Sequence, residues 1–148
     1  MKKIIVSFYL IVLLFSHLAV ATTLNRGNGA EPDSLNIHQA QGINSHNILL
    51  DLYEGLMTFD AQGQVVPGVA ERHELSDNQL QWTFYLRADA QWSDGAPVVA
   101  ENFIHAWQQA LEPKTAAPYR HLFDNLTQNG QLAVTSNNPK QITINLNH

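Results

Sequence analysis

The chain has 148 residues, enough for one ordinary domain, and carries 8 Lys and Arg against 13 Asp and Glu for a formal charge of −5. An acidic chain without clustered Lys and Arg is poorly suited to tracking phosphates, which argues against nucleic acid as a partner. Cysteine is absent, and with it any disulfide framework, thiolate metal site, cysteine nucleophile or lipidated amino-terminal cysteine.

The amino terminus reads as an export signal. Lys2 and Lys3 form a basic start, residues 4–18 an apolar run, and Ala19-Val20-Ala21 a small-x-small exit, so residues 1–21 are assigned as a signal peptide cleaved after Ala21. A membrane anchor is the competing reading, because residues 4–21 are just long enough to cross a bilayer. Ser7, Ser16 and His17 interrupt that run, and the small-residue exit favours cleavage. Cleavage removes two lysines and no acid, leaving the exported chain more acidic still.

Residues 22–24 read as a short strand entry, followed by a loop marked by Gly27, Gly29, Pro32 and Asp33. Helical spacing is predicted over residues 45–54. Asn44 or Ser45 can cap it, Ile48, Leu49 and Leu52 form a stripe that should be buried, and Gly55 fits the position just past its end. Residues 56–59 read as a strand, Asp60-Ala61-Gln62-Gly63 as a tight turn, and Val65-Val66 as the return before Pro67 and Gly68. The clearest strand is 80–86, where Leu80, Trp82, Phe84 and Leu86 alternate with Gln81, Thr83 and Tyr85. After the turn Ser93-Asp94-Gly95-Ala96-Pro97, a helix is predicted over 100–111 with Phe103, Ile104, Trp107, Ala110 and Leu111 on one face and Pro113 as its stop. Past the Asn137-Asn138-Pro139 turn, Ile142, Ile144 and Leu146 alternate with Thr143 and Asn145 in a last strand. Strands and helices interleave without regular βαβ alternation, so the fold class is α+β, a mixed α/β chain.

Little in the chain calls for catalysis. His38, His46, His73, His105, His121 and His148 show no H-x-x-x-H or H-E-x-x-H spacing, so neither a metal nor a cofactor is expected. Asp51 and Glu54 fit a solvated helix face, and Asp94 before Gly95 fits turn chemistry rather than an acid-base pair across a cleft. No G-x-S-x-G, phosphate loop or G-x-G-x-x-G occurs. Trp82 and Trp107 fall on faces expected to be buried, whereas Trp92 is open to either a core or a ligand-lining role.

Three blocks carry a family resemblance: Gly68-Val69-Ala70-Glu71, then Trp82-Thr83-Phe84-Tyr85-Leu86-Arg87, then Ala90-Gln91-Trp92-Ser93-Asp94-Gly95-Ala96-Pro97-Val98. With Asp51-Leu52-Tyr53-Glu54-Gly55-Leu56 upstream and Phe103, Ala106-Trp107 and Ala117-Pro118-Tyr119 downstream, the chain closely resembles the oligopeptide and dipeptide solute-binding proteins, the periplasmic receptors of peptide ABC transporters. The resemblance implies the amino-terminal part of a two-lobed periplasmic binding protein, incomplete, with residues 22–50 starting the first lobe and 51–148 forming a truncated second domain packed on it. It implies oligopeptides and a membrane permease as partners and no enzymatic activity.

Such a receptor holds many peptides by hydrogen bonds to their main chain, as in strand addition. By position, Gln41, Gly42 and Ile43 match the family stretch beside the peptide backbone, and Tyr119 matches an aromatic facing the cleft. Gly42 suits that place because a missing side chain admits another backbone, although a plain loop glycine and a packed surface aromatic are the alternatives. Three departures stand out. Gln41 occupies a position where close relatives often carry a carboxylate. Val99 and Asn102 replace a Thr cap and an Asp, a loss of about 0.5–2 kcal/mol to the following helix. The stretch between Tyr119 and Ile142 is shortened. These changes and the early end suggest a truncated product, with apolar surface left exposed where the missing lobe would pack. Competing readings are a non-binding remnant, a receptor of the same family for nickel chelates, haem or murein peptides, and a small secreted hydrolase resting on the carboxylates and histidines of an exported chain, to be tested by replacing Asp94 and Glu71.

Overall fold

The computed structural model describes residue 23 and residues 25–147. The expected export signal at 1–21, and Thr22 and Leu24 of the expected strand entry, lie outside the described residues. Helix α1 spans Gly42–Leu52, and strands β1 (Met57–Phe59) and β2 (Val65–Pro67) form a hairpin. Strands β3 (Ala70–Leu75) and β4 (Gln81–Leu86) follow, then helix α2 (Ala100–Leu111) and two 3-10 segments, Pro113–Thr115 and Arg120–Leu126. The chain closes with a small hairpin of β5 (Thr127–Gln128) and β6 (Gln131–Leu132) and a longer one of β7 (Val134–Asn138) and β8 (Gln141–Asn145). β8 does not stay beside β7 alone: it slots against β4, giving a four-stranded antiparallel sheet in the order β3-β4-β8-β7.

The alternation read from the sequence sets what this sheet buries. Phe84 faces Ile142 and Trp82 faces Ile144 across the β4–β8 pair, so the apolar sets of both strands meet on one face. Phe84, Leu86, Val134, Ile142 and Ile144 form the core with Ala100 and Ile104 of α2, and Trp82, Phe103 and Trp107 pack around it half-buried. The rings of Trp82 and Phe84 lie nearly parallel at 6.1 Å, with His73 5.3 Å and 5.8 Å from them. Trp82 and Trp107 thus pack against the core, half-buried.

The amino-terminal end of α2 is better fastened than Val99 suggests. Asn102 Oδ1 accepts the Val99 N–H at 2.9 Å, and the Ala100 N–H donates to the Pro139 carbonyl at 2.8 Å. A carbonyl from the β7–β8 turn thus takes up an amide that helix geometry leaves without a partner.

α1 departs from its reading in three ways. It starts at Gly42 rather than Ser45 and ends at Leu52, where Tyr53 turns extended and donates its N–H to the Leu49 carbonyl. The expected stripe is buried only in part: Ile48 and Leu49 are half-buried, Leu52 is 62% exposed, and Ser45 is the helix's fully buried residue. Gly55 is not the helix stop; a Cβ there would lie 2.8 Å from the Met57 carbonyl, and one on Gly68 would lie 2.5 Å from the Gly55 carbonyl. Both glycines permit the backbone crossing between 55–57 and 68–70, where the Gly68, Val69 and Ala70 amides donate to carbonyls of Leu56 and Gly55.

β3 had no apolar alternation to announce it, and only Ala70 is buried. It is an edge strand secured by polar side chains: the Arg72 guanidinium sits 3.4 Å from the Tyr85 ring centroid and donates to Glu74, whose other oxygen accepts the Tyr85 hydroxyl at 2.9 Å.

Two predictions follow from this packing. Ile142 is completely buried, so Ile142→Ala should lower unfolding free energy by about 2–5 kcal/mol, measured by urea denaturation. Glu74 is held below its ordinary carboxylate value first by Arg72 and then by the Tyr85 hydroxyl. A depressed folded value stabilises the fold above the ordinary carboxylate range, and that contribution disappears as pH falls through the folded value. Glu74→Gln should therefore flatten the acid side of a Tm-against-pH curve, and the difference should shrink in high salt because the cluster is exposed.

Candidate functional site

Polar side chains, more than apolar burial, hold the segment before α1 against that helix. Arg26 Nη1 lies 3.2 Å from Asp51 Oδ2, Asn28 Nδ2 donates to the Asn44 carbonyl at 2.8 Å, and Asn47 Nδ2 donates to Asn28 Oδ1 at 3.2 Å. Asp33 completes the lacing. Its Oδ2 accepts the Gln41 N–H at 2.8 Å, and its Oδ1 accepts the Ser45 hydroxyl. The Ser45 hydroxyl, together with backbone amides, holds the Asp33 carboxyl below its ordinary value.

This arrangement presents residues 41–43 to open space. Gln41 is extended, Gly42 takes φ +74°, and a Cβ added to Gly42 would meet nothing within 4 Å. Ile43 is 66% exposed. The positive φ favours glycine, so Gly42 serves the backbone path as well as leaving room beside it.

A second wall comes from the chain after α2. Gln39 Nε2 donates to the Thr115 carbonyl at 3.4 Å and Arg120 Nε to the Leu111 carbonyl at 3.3 Å, drawing this stretch toward both α2 and the amino-terminal segment. Tyr119 stands at the start of its 3-10 segment, half exposed, with its ring 6.4 Å from that of His121.

Between the walls lies an open concavity of about 1310 Å³, larger than the roughly 300–1,000 Å³ usual for small-molecule pockets. Gln41, Gly42, Ile43 and Tyr119 all line it, so the structure brings the four expected residues to one surface. Phe103 and Trp107 of α2 line it as well, along with Trp92, whose Nε1 donates to Asn102 Oδ1 at 3.4 Å. Trp92 thus faces the concavity.

The charged groups around this surface are largely paired. Arg87 donates through Nη2 and Nη1 to the two oxygens of Glu54 at 3.0 Å and 3.4 Å. Asp51 pairs with Arg26, and Asp94 Oδ1 accepts the Ala96 N–H at 2.9 Å within its turn. His38 and His46 also line the concavity, and no group of three or more His, Asp or Glu able to hold a metal lies among the described residues. The surface offers apolar contact, backbone groups and neutral polar side chains, suited to a ligand held by shape and main-chain hydrogen bonds. The Asp33 clasp and the Glu54–Arg87 pair are the parts that sequence reasoning missed. Glu54 and Arg87 each stand inside a block quoted above, whereas Asp33 read only as a turn former.

A family model described as bacterial extracellular solute-binding proteins, family 5 middle, matches residues 64–148. The periplasmic oligopeptide-binding protein OppA of Escherichia coli (strain K12) is 48% identical over 102 residues, covering 69% of this chain and 19% of that protein. Haemophilus influenzae OppA, solved in complex with RPPGFSPFR, matches with a TM-score of 0.72 and 35% identity, over 81% of this chain and 26% of that one. The Escherichia coli murein tripeptide binding protein MppA matches with a TM-score of 0.75 and 35% identity, over 79% of this chain and 25% of that one. The chain thus spans about a fifth of the length of the curated relative and about a quarter of the solved chains.

Proposed function

The chain belongs to the family 5 bacterial extracellular solute-binding proteins, and we propose that it forms one wall of a cleft that takes oligopeptides for delivery to the membrane permease of an ABC importer. Residues 1–21 direct export and are removed after Ala21, placing the product in the periplasm. Residues 22–50 begin the first lobe, and 51–148 belong to the domain packed on it. The role is capture without covalent chemistry, in line with relatives that are named as binding proteins.

The observation that carries this reading is the meeting of residues 41–43 and Tyr119 on one open concavity with Trp92, Phe103 and Trp107. An extended peptide laid beside Gly42 meets exposed backbone on one side and the Tyr119 ring on the other. Its side chains project over apolar surface that imposes little charge selection, since Arg87 is already engaged by Glu54. Gln41 adds a neutral polar contact in place of a charged one.

Calorimetric titration of the folded chain with a pool of short peptides tests the assignment. Saturable heat is expected, and Tyr119→Ala should weaken it about tenfold, in the range of an aromatic anchor truncated at a binding surface. A folded chain, established by near-UV circular dichroism, that gives no saturable heat would mean that it is a secreted domain without receptor activity of its own.

A further inference from the structure

We propose that Asp33 is a positioning residue for peptide capture: its carboxylate clasps the chain on both sides of Gly42 and so sets the path of residues 41–43. The inference rests on the assignment of those residues to the peptide-facing wall. The two carboxylate oxygens divide the work. Oδ2 holds the Gln41 N–H at 2.8 Å, just before Gly42, and Oδ1 holds the hydroxyl of Ser45, three residues after it. Ser45 is completely buried and also receives the Ser34 N–H at 3.5 Å, so residues 33, 34 and 45 close a small ring under the segment.

Packing does not provide an alternative constraint. Gln41, Gly42 and Ile43 are all exposed, and the space over Gly42 is empty to 4 Å. Glycine at φ +74° has access to many other conformations, so something else must select this one. α1 has no side-chain cap at Gln41 and no acidic residue in its first turn. The negative charge that favours a helix amino terminus is supplied instead by Asp33, from eight residues upstream of Gln41. Asp33 also lies outside the core cluster under the four-stranded sheet, so its loss should loosen the wall and leave the sheet intact.

The test uses the full chain and two substitutions, read by residue-resolved amide exchange and by peptide titration. Asp33→Ala should speed exchange at Gln41, whose N–H the carboxylate accepts, by about tenfold or more, the scale of losing a hydrogen bond to a charged acceptor, while amides of β4 and β8 keep their protection. Peptide affinity should fall by a similar factor. Asp33→Asn retains an oxygen for the Gln41 N–H and offers an amide donor to Ser45 Oγ, so it should restore most of both. Unchanged exchange at Gln41 in Asp33→Ala would overturn the proposal, as would an equal rise across β4 and β8 or an Asn variant no better than Ala. A wild-type chain that binds no peptide would sink the receptor assignment alone, because the exchange measurements still decide whether Asp33 holds the segment. Peptide binding that is unaffected by Asp33→Ala, despite faster exchange, would sink the positioning role alone.

Discussion

The turn between β7 and β8 is where the sheet, the second helix and the concavity are tied together. Lys140 is only partly exposed, and its ammonium donates to the Arg87 carbonyl at 3.1 Å and the Val98 carbonyl at 2.9 Å. Its own carbonyl accepts the Leu86 N–H at 2.8 Å, and the Pro139 carbonyl accepts the Ala100 N–H at 2.8 Å. Charge-assisted hydrogen bonds of this kind contribute about 1.5–3 kcal/mol each. Their greater importance is geometric: the end of β4, the loop ahead of α2 and the first turn of α2 all refer to one two-residue turn. α2 carries Phe103 and Trp107 into the concavity, so the floor of the site is registered on the sheet through Pro139 and Lys140. Arg87 extends the connection, since its carbonyl takes Lys140, its N–H reaches the Val69 carbonyl at 2.9 Å, and its side chain holds Glu54 beyond the end of α1.

Two kinds of cohesion therefore meet at the site. The floor rests on an apolar core in which Ile142 and Ala100 are completely buried, a non-directional contribution that grows with area. The wall of residues 41–43 rests on directional hydrogen bonds, the Gln41 N–H donating to Asp33 and Asn28 donating to the Asn44 carbonyl just beyond it. Apolar side chains of α1 and the first hairpin, including Leu50, Leu52, Phe59 and Val65, remain on the surface. An exposed apolar group of that extent is the expected mark of an interaction surface, and much of the family fold in the longer relatives has no counterpart among these residues.

The sequence was most informative where one physical effect dominated. The α2 bounds were read to the residue, because its apolar spacing and Pro113 agree. β4 and β8 were legible from strict alternation, which the sheet then paired Phe84 to Ile142. β3 was missed because its exposed residues are organised by Arg72, Glu74 and Tyr85 rather than by burial. The β5–β6 hairpin was missed although Asn129-Gly130, both at positive φ, is a strong turn signal. α1 began early because the carboxylate serving its amino terminus lies in a different segment, a long-range contact that no local capping pattern records. Of its stripe, Ile48 and Leu49 are only half-buried and Leu52 is exposed, because the lacing from Arg26, Asn28 and Asp33 fixes the helix without fully burying that face. Of the site, the four residues named from resemblance were found together, while the contacts that place them were not legible.

That division bears on how the proposed wall would accept varied peptides. A peptide's main chain is the same whatever its sequence, so the groups that meet it must be held in fixed geometry, whereas the surface under its side chains need only be roomy and chemically undemanding. On the proposed peptide-binding reading, the fixed geometry falls to Gly42 and its clasp, and the undemanding surface to Trp92, Phe103 and Trp107. Pairing Arg87 with Glu54 removes a lone cation that would otherwise select acidic side chains. The same pair braces the segment after α1 against the end of β4, so on that reading one interaction both suppresses charge selection and ties this segment to the sheet.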